Sequence, residues 1–248
     1  MLKVDIKNIS RKEEERSSDV LKDIRFTIMP GKCYTILGRN GSGKTTLMKS
    51  LTGLLNDEIY HINGKVLFNN EDIYAFSELR LQILRQKHIR YVLQDLTNNF
   101  DPLKRLKYYF DFQKPDIATI NYLLKEFLLP DYEKIGRLYA YEISGGMAQR
   151  LSFLLAILPK PDLLILDEPT SAIDYTNINL IKLKLEEMKT SGKSSLIVTQ
   201  DIQFAEEISD EIAFLSERTL TGFRSKDLFF AEAEHEYSGF LKAFRELK

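Results

Sequence analysis

The chain has 248 residues, 44% hydrophobic and 29% charged, which suits one large α/β domain, or one domain with an insert, of the globular kind. A formal net charge of -1 gives no bulk electrostatic attraction to nucleic acid, and a single cysteine, Cys33, rules out a disulfide framework or thiolate metal cluster inside one chain, as suits a reducing cytoplasm. No stretch approaches the roughly 20 apolar residues of a membrane helix, so work at a membrane would need a partner to hold the chain there.

Met1 to Ile9 alternates apolar and polar residues and predicts an edge strand rather than a signal peptide. The charge run from Arg11 to Arg16 predicts an exposed turn that extends to Ser18. Val20 to Ile28 alternates again and stops at Met29-Pro30-Gly31. Cys33 to Leu37 is a short apolar strand ending in a glycine loop, and Lys44 to Leu51 reads as a helix with Gly53 near its end. Asn63-Gly64 before Val66 to Phe68 suggests a small antiparallel hairpin. Ile89 to Leu93 predicts another buried strand.

From about Asp101 to Tyr141 the pattern turns helical. Asp101-Pro102 offers an N-cap and a first helical residue. Ile117, Ile120, Leu124, Phe127 and Leu128 share one helical face, and Pro130 closes that segment. Tyr108, Tyr109, Phe110 and Phe112 read as helical core or as part of a docking groove. Ser144 caps a helix to about Leu158, and Pro159 and Pro161 precede the apolar strand Leu163 to Leu166. A helix at about Ile178 to Lys189, a strand at Ser195 to Val198, a helix at Ile202 to Ser209 and a strand at Glu211 to Leu215 follow. Alternating β and α units imply a mainly parallel sheet with helices on both faces.

Gly38-Arg39-Asn40-Gly41-Ser42-Gly43-Lys44-Thr45 fits the phosphate-binding loop G-x-x-x-x-G-K-[ST]. Glycines let the backbone wrap phosphate oxygens with N–H groups facing inward, and the following helix adds the positive end of its dipole. Lys44 is expected to reach the β- and γ-phosphates of ATP, and Thr45, followed by Thr46, to place a hydroxyl on Mg²⁺. The apolar run Leu163 to Leu166 delivers Asp167 and Glu168 to the carboxyl edge of the sheet, where ligands of open α/β sheets bind. Asp167 is then expected to hold Mg²⁺, directly or through water, and Glu168 to take a proton from the attacking water. Ser144-Gly145-Gly146 at a helix start is a second cradle of N–H groups and a hydroxyl, understandable if it closes over the nucleotide of another subunit.

With these motifs in order, the chain resembles the ATP-binding cassette ATPases over nearly its whole length. The resemblance implies a P-loop NTPase fold, α/β in class, with a RecA-like mainly parallel sheet, a small antiparallel β region and a helical subdomain. It implies one domain, 1–248, with a RecA-like core at about 1–95 and 156–220, the helical subdomain at about 96–155 and a helical tail at about 225–248. It implies that Ser144-Gly145-Gly146 is the signature segment, that Gln94 senses Mg²⁺ and the transmembrane partner, and that Ser171-Ala172-Ile173-Asp174 crosses a dimer interface. Such subunits pair head to tail around two ATP molecules and sit at the cytoplasmic face of a membrane, held by permease subunits. A narrower resemblance, to the oligopeptide, dipeptide and nickel importers, lies in 94–102 (QDLTNNFDP), in 139–147 (YAYEISGGM) and in Asp227-Leu228-Phe229 with His235-Glu236-Tyr237. It implies import of a peptide or chelated metal, with a substrate-binding protein as a further partner and no nucleic acid. The four-cysteine tail of some members has no counterpart among 248 residues with one cysteine.

Two positions depart from the family. A histidine that meets the γ-phosphate normally follows the strand here ending at Val198, and Gln200 stands in its place. Glutamine donates a hydrogen bond but never becomes cationic, so reduced turnover at this chain's own site is expected, and with it a heterodimer whose other site is faster. The adenine-stacking aromatic also has no match between Ser10 and Arg25, where Arg11 is either a stacking guanidinium or a solvated charge. Three rival readings remain: an exporter or immunity pump, a non-transport ATPase acting on DNA or ribosomes, and a regulatory module that binds ATP and barely cuts it.

Overall fold

The computed structural model of the chain describes residues 1–12, 18–92, 100–111, 116–170 and 175–236. Its centre is a parallel sheet built from the runs that are apolar throughout. Strand β3 (Cys33–Gly38), β7 (Leu163–Asp167) and β8 (Ser194–Thr199) are buried at every position, as strands covered on both faces must be. With β6 (Ile89–Val92) and β9 (Glu211–Ser216) they form the order β9-β3-β8-β7-β6, all parallel; the short strands β10 (Thr219–Leu220) and β11 (Arg224–Ser225) pair antiparallel to β9.

The sheet is a wall between two cores, because successive side chains point to opposite faces. Leu163 and Ile165 pack with Tyr34, Ile36 and helix α1 (Lys44–Ser50) against an antiparallel sheet. Leu164, Leu166 and Ile197 pack on the other face with helices α6 (Gly145–Ile157), α7 (Tyr175–Thr190) and α8 (Ile202–Ile208).

The antiparallel sheet has the order β2-β1-β4-β5, from β1 (Leu2–Arg11), β2 (Ser18–Ile28), β4 (Tyr60–Phe68) and β5 (Glu71–Asp72). The predicted edge strand at Met1 to Ile9 is thus an interior one, paired on both sides. Its alternation reports one buried face and says nothing of how many neighbours bond its backbone. Of the expected turn from Arg11 to Ser18, the two ends pair with each other, and 13–17 lie outside the described residues.

Asn63-Gly64 is not the hairpin turn it resembles. Both residues lie inside β4, where the register against β1 shifts between Ile6 and Asn8. The turn comes later, at Asn69 and Asn70, which take φ of 51° and 70° between β4 and β5, the backbone a two-residue hairpin loop needs. Gly64 has φ +148°, and a Cβ there would meet Asp5 O and Ile6 Cα at 2.5 Å. Both atoms are backbone and cannot step aside. Gly64→Ala should therefore cost about 2–4 kcal/mol of stability in urea denaturation, from overpacking and an unfavourable φ together. A loss under about 1 kcal/mol would contradict the close approach.

Helices α3 (Lys107–Asp111), α4 (Ile117–Glu126) and α5 (Tyr132–Ile135) precede α6 in the expected helical region. Asp101-Pro102 does not start a helix: Asp101 Oδ1 accepts from Leu103 N at 2.9 Å in a local turn, and α3 begins at Lys107. Ile120, Leu124 and Phe127 face the core, but Ile117, the first residue of α4, is exposed, and so is Leu128, because the helix ends at Glu126 and Leu128 turns left-handed at φ 52°. Of the aromatic run, Phe110 is buried and Tyr108 half-exposed, and Phe112 lies outside the described residues. Helix α2 (Glu78–Lys87) has no counterpart among the expected elements. Its cap is legible, since Ser77 accepts from Arg80 N, but Leu79 and Ile83 are exposed and only Leu84 is fully buried, which blurs the apolar period.

Two polar ties join this helical region to α7. The buried Lys184 reaches Glu126 of α4 at 2.6 Å, and Arg150 of α6 donates to Asn177 at 3.1 Å. Burial opposes the Lys184 charge, but the hydrogen bonds it donates to Glu126 and Glu187 outweigh it and hold the ammonium above its ordinary pKa. The final described helix, α9 (Lys226–Glu236), packs Phe229 with β9. Among the described residues no helix is long and apolar enough to cross a membrane.

Candidate functional site

Parallel pairing brings three strand ends to one edge. Leu37 of β3 lies opposite Thr199 of β8, and Val198 of β8 opposite Asp167 of β7. Gly38, Asp167 and Thr199 therefore leave the sheet side by side. The loop after Gly38 turns into α1 at Gly43, whose φ of +102° suits glycine and whose absent Cβ leaves Leu21 Cδ2 room, 2.8 Å from where that atom would sit.

A cavity of about 450 Å³ opens there, lined by Asn40, Gly41, Gly43, Lys44, Thr45 and Thr46 of the loop, by Asp167 and Glu168, and by Val20. The Lys44 ammonium is buried and held inward by Gly38 O at 2.8 Å and Arg39 O at 3.1 Å. It also lies 3.1 Å from Glu168 Oε1, an ion pair without hydrogen-bond geometry. Ser42 Oγ is buried with no hydrogen-bond partner among the described residues. A buried cation in a glycine loop that also holds an unused hydroxyl suits a polyanion.

Glu168 sits in the left-handed region at φ 49°, an uncommon conformation for a side chain of its size. Its N–H donates to Val198 O at 2.9 Å, which fixes the turn out of β7. Its Oε2 accepts from Thr199 Oγ1 at 3.0 Å and from Gln200 N at 3.2 Å. Thr199 Oγ1 in turn accepts from Asp201 N at 3.0 Å, so the hydroxyl proton is directed to Glu168. The carboxylate is thus oriented at its far oxygen, while its near oxygen has Lys44 as its one close polar neighbour among the described residues.

Asp167 Oδ2 accepts from Thr45 Oγ1 and from Tyr91 OH, each at 2.8 Å. Oδ1 is buried and has no hydrogen-bond partner among the described residues. Burial raises the Asp167 pKa above its ordinary value, with hydrogen bonds from Thr45 and Tyr91 opposing the rise. A hydroxyl and a carboxylate with a spare oxygen form a hard, all-oxygen donor set that fits Mg²⁺. Among the described residues no three His, Cys, Asp or Glu side chains converge as a metal cage.

The structure thus brings Lys44, Thr45, Asp167 and Glu168 together. Gln200 reaches the group through its main chain, and its side chain is exposed. Ser144, Gly145 and Gly146 stand at the start of α6, outside the cavity lining, with Ser144 accepting from Met147 N at 3.2 Å. Ser144 and Gly145 are exposed. Gln94 and Ser171 to Asp174 lie outside the described residues. Arg11 is exposed at the end of β1.

Sequence reasoning missed Tyr91, Thr199 and Val20. A tyrosine inside a buried parallel strand carries a hydroxyl that needs a partner, and that was the available signal for Tyr91. Thr199, as the polar end of an apolar strand, gave a fainter one. Nothing in the sequence marked Val20.

A family model described as ABC transporter matches residues 21–171. The metal-staphylopine import system ATP-binding protein of Staphylococcus aureus is 28% identical over 246 residues, covering 95% of this chain and 90% of that protein. The oligopeptide transport ATP-binding protein of Salmonella typhimurium is 31% identical over 239 residues, covering 92% and 71%. Among solved structures, a dimeric ATP-binding cassette in a post-hydrolysis state with ADP and phosphate is similar, with a TM-score of 0.75 at 24% identity, covering 91% of this chain and 99% of that one.

Proposed function

Because the chain belongs to the ABC transporter ATPase family, we propose that it binds Mg-ATP in the cavity at its sheet edge. It hydrolyses that ATP as one half of a head-to-tail pair, to energise import of a peptide or a chelated metal through separate permease subunits. The observation that carries this reading is the meeting of Lys44, Thr45, Asp167 and Glu168 in one cavity, while Ser144 and Gly145 stand exposed outside it. A second anion cradle away from the chain's own phosphate site makes sense on a surface that closes over a partner's nucleotide. The substrate class is supported by the relatives named for oligopeptide and metal-staphylopine import and by the importer-like stretches at 94–102 and 139–147. In this reading permease subunits hold the chain peripherally at the cytoplasmic face, a substrate-binding protein delivers the cargo, and the domain bounds are those expected above.

Lys44 exchanges its carbonyl and carboxylate partners for the β- and γ-phosphates. Glu168, freed at Oε1 and still held at Oε2 by Thr199 and Gln200 N, takes a proton from water attacking the γ-phosphate. The loop N–H groups of 38–45 bind phosphate oxygens, and Gln94 helps place the water. Thr45 and Asp167 would hold Mg²⁺, which neutralises charge on the transferring phosphoryl group.

The exposed side chain of Gln200 supports a slower site in this chain, paired with a different chain whose site is faster. In the assembled complex, Ser144→Arg puts bulk and charge into the cradle serving the partner's nucleotide and should cut ATPase activity about tenfold or more. Gln200→Ala should cost less than about threefold, because it removes a donor only from the slower site. Steady-state phosphate release measures both. Equal, large losses would make Gln200 the replacement for the histidine and end the asymmetric reading.

A further inference from the structure

One half-buried polar group at this site has no part in the chemistry described above: the hydroxyl of Tyr91. Tyr91 lies on β6 opposite Ile165 of β7, two residues short of Asp167, and its ring spans that distance to donate to Asp167 Oδ2 at 2.8 Å. Thr45 Oγ1 donates to the same oxygen at 2.8 Å. Two donors from different elements, a strand and a helix, thus hold Oδ2, and Oδ1 is left buried with no hydrogen-bond partner among the described residues.

The terminal torsion of an aspartate is broad, so packing alone fixes it poorly, and two hydrogen bonds on one oxygen select one orientation. Thr45 Oγ1 shares its hydroxyl between this bond and an expected place as cation ligand, its proton serving Asp167 and its lone pair the cation. Tyr91 has no second task. A phenol carries its proton at neutral pH, so the Tyr91 hydroxyl serves as a donor to Asp167.

We propose that Tyr91 is a positioning residue for the divalent cation: by holding Asp167 Oδ2 it keeps Oδ1 turned out of the internal hydrogen-bond network and available to Mg²⁺ or its water. This inference rests on the reading of the cavity as a Mg-ATP site.

The test uses the full chain and a fluorescent ATP analogue, with affinity measured in EDTA and then across a Mg²⁺ titration. Tyr91→Phe keeps the ring and removes the donor. Its nucleotide affinity in EDTA should stay within about twofold of wild type, while the Mg²⁺ concentration giving half the metal-dependent gain should rise about tenfold, as for other groups that orient metal ligands. In an Asp167→Asn background the same change should have no further effect, since the hydroxyl acts through that carboxylate. An unchanged Mg²⁺ midpoint in Tyr91→Phe overturns the proposal. So does a loss of nucleotide affinity in EDTA, which would make the hydroxyl a determinant of the fold. If wild type itself shows no Mg²⁺-dependent binding, the Mg-ATP reading fails first and the role of Tyr91 with it.

Discussion

Glu168→Gln should lower the rate of phosphate release from this chain's site by about 10²–10⁴-fold, the range of a lost general base. The same change should tighten ATP binding. In the structure Glu168 Oε1 lies 3.1 Å from Lys44 Nζ, so the carboxylate competes with phosphate for that cation. A neutral amide competes less, and the amide oxygen can still accept from Thr199 and Gln200 N as Oε2 does. Single-turnover hydrolysis in the assembled pair and equilibrium nucleotide binding separate the two effects. With turnover slowed, the ATP-bound closed pair should accumulate on size exclusion in the presence of Mg-ATP. Slower hydrolysis with weaker binding would mean that Lys44 is not restrained by Glu168, and unchanged hydrolysis would remove Glu168 from the base role.

Lys44→Ala should weaken Mg-ATP binding by about 100-fold or more, because the buried cation facing the phosphates is lost and no neighbour replaces a charge-assisted contact. The variant should also melt earlier. Glu168, 8% exposed in the structure, loses the one cation close to its Oε1 among the described residues, and an unpaired buried carboxylate costs about 1–3 kcal/mol even when its other oxygen remains hydrogen-bonded. Adding Glu168→Gln to Lys44→Ala should return part of that stability and none of the affinity. Titration calorimetry and thermal melts provide the two readouts. Affinity within about threefold of wild type would show that phosphate does not meet Lys44.

How far the sequence spoke depended on what each pattern encodes. Runs such as Leu163 to Leu166 are apolar at every position because both faces are covered, and they gave the parallel core directly. The phosphate loop and Asp167-Glu168 were legible because their chemistry fixes residue types at fixed spacing. The place of β1 was not legible, since alternation records one buried face and not the number of neighbours. Asn63-Gly64 misled because glycine serves close backbone approach as well as turns, and here Asp5 and Ile6 demand it. Leu128 misled because helical period carries no stop signal, and the chain turned left-handed one residue past the cap. Tyr91 and Thr199 were hidden for a different reason. Their partners, Asp167 and Glu168, are 76 and 31 residues away, and only pairing of strands makes them neighbours.

Cys33 opens a practical route to the proposed interface. It is the sole cysteine of the chain and is 2% exposed. Burial pushes its thiol up to about 12, which keeps the reactive thiolate scarce at neutral pH. The native fold is therefore close to silent toward maleimides and other thiol reagents without any engineering to remove a background. A cysteine placed at the exposed Tyr141, three residues before the Ser144 cradle and outside it, would be the one accessible thiol of the chain, and a spin label or fluorophore there could measure separations in the assembled pair as nucleotide comes and goes.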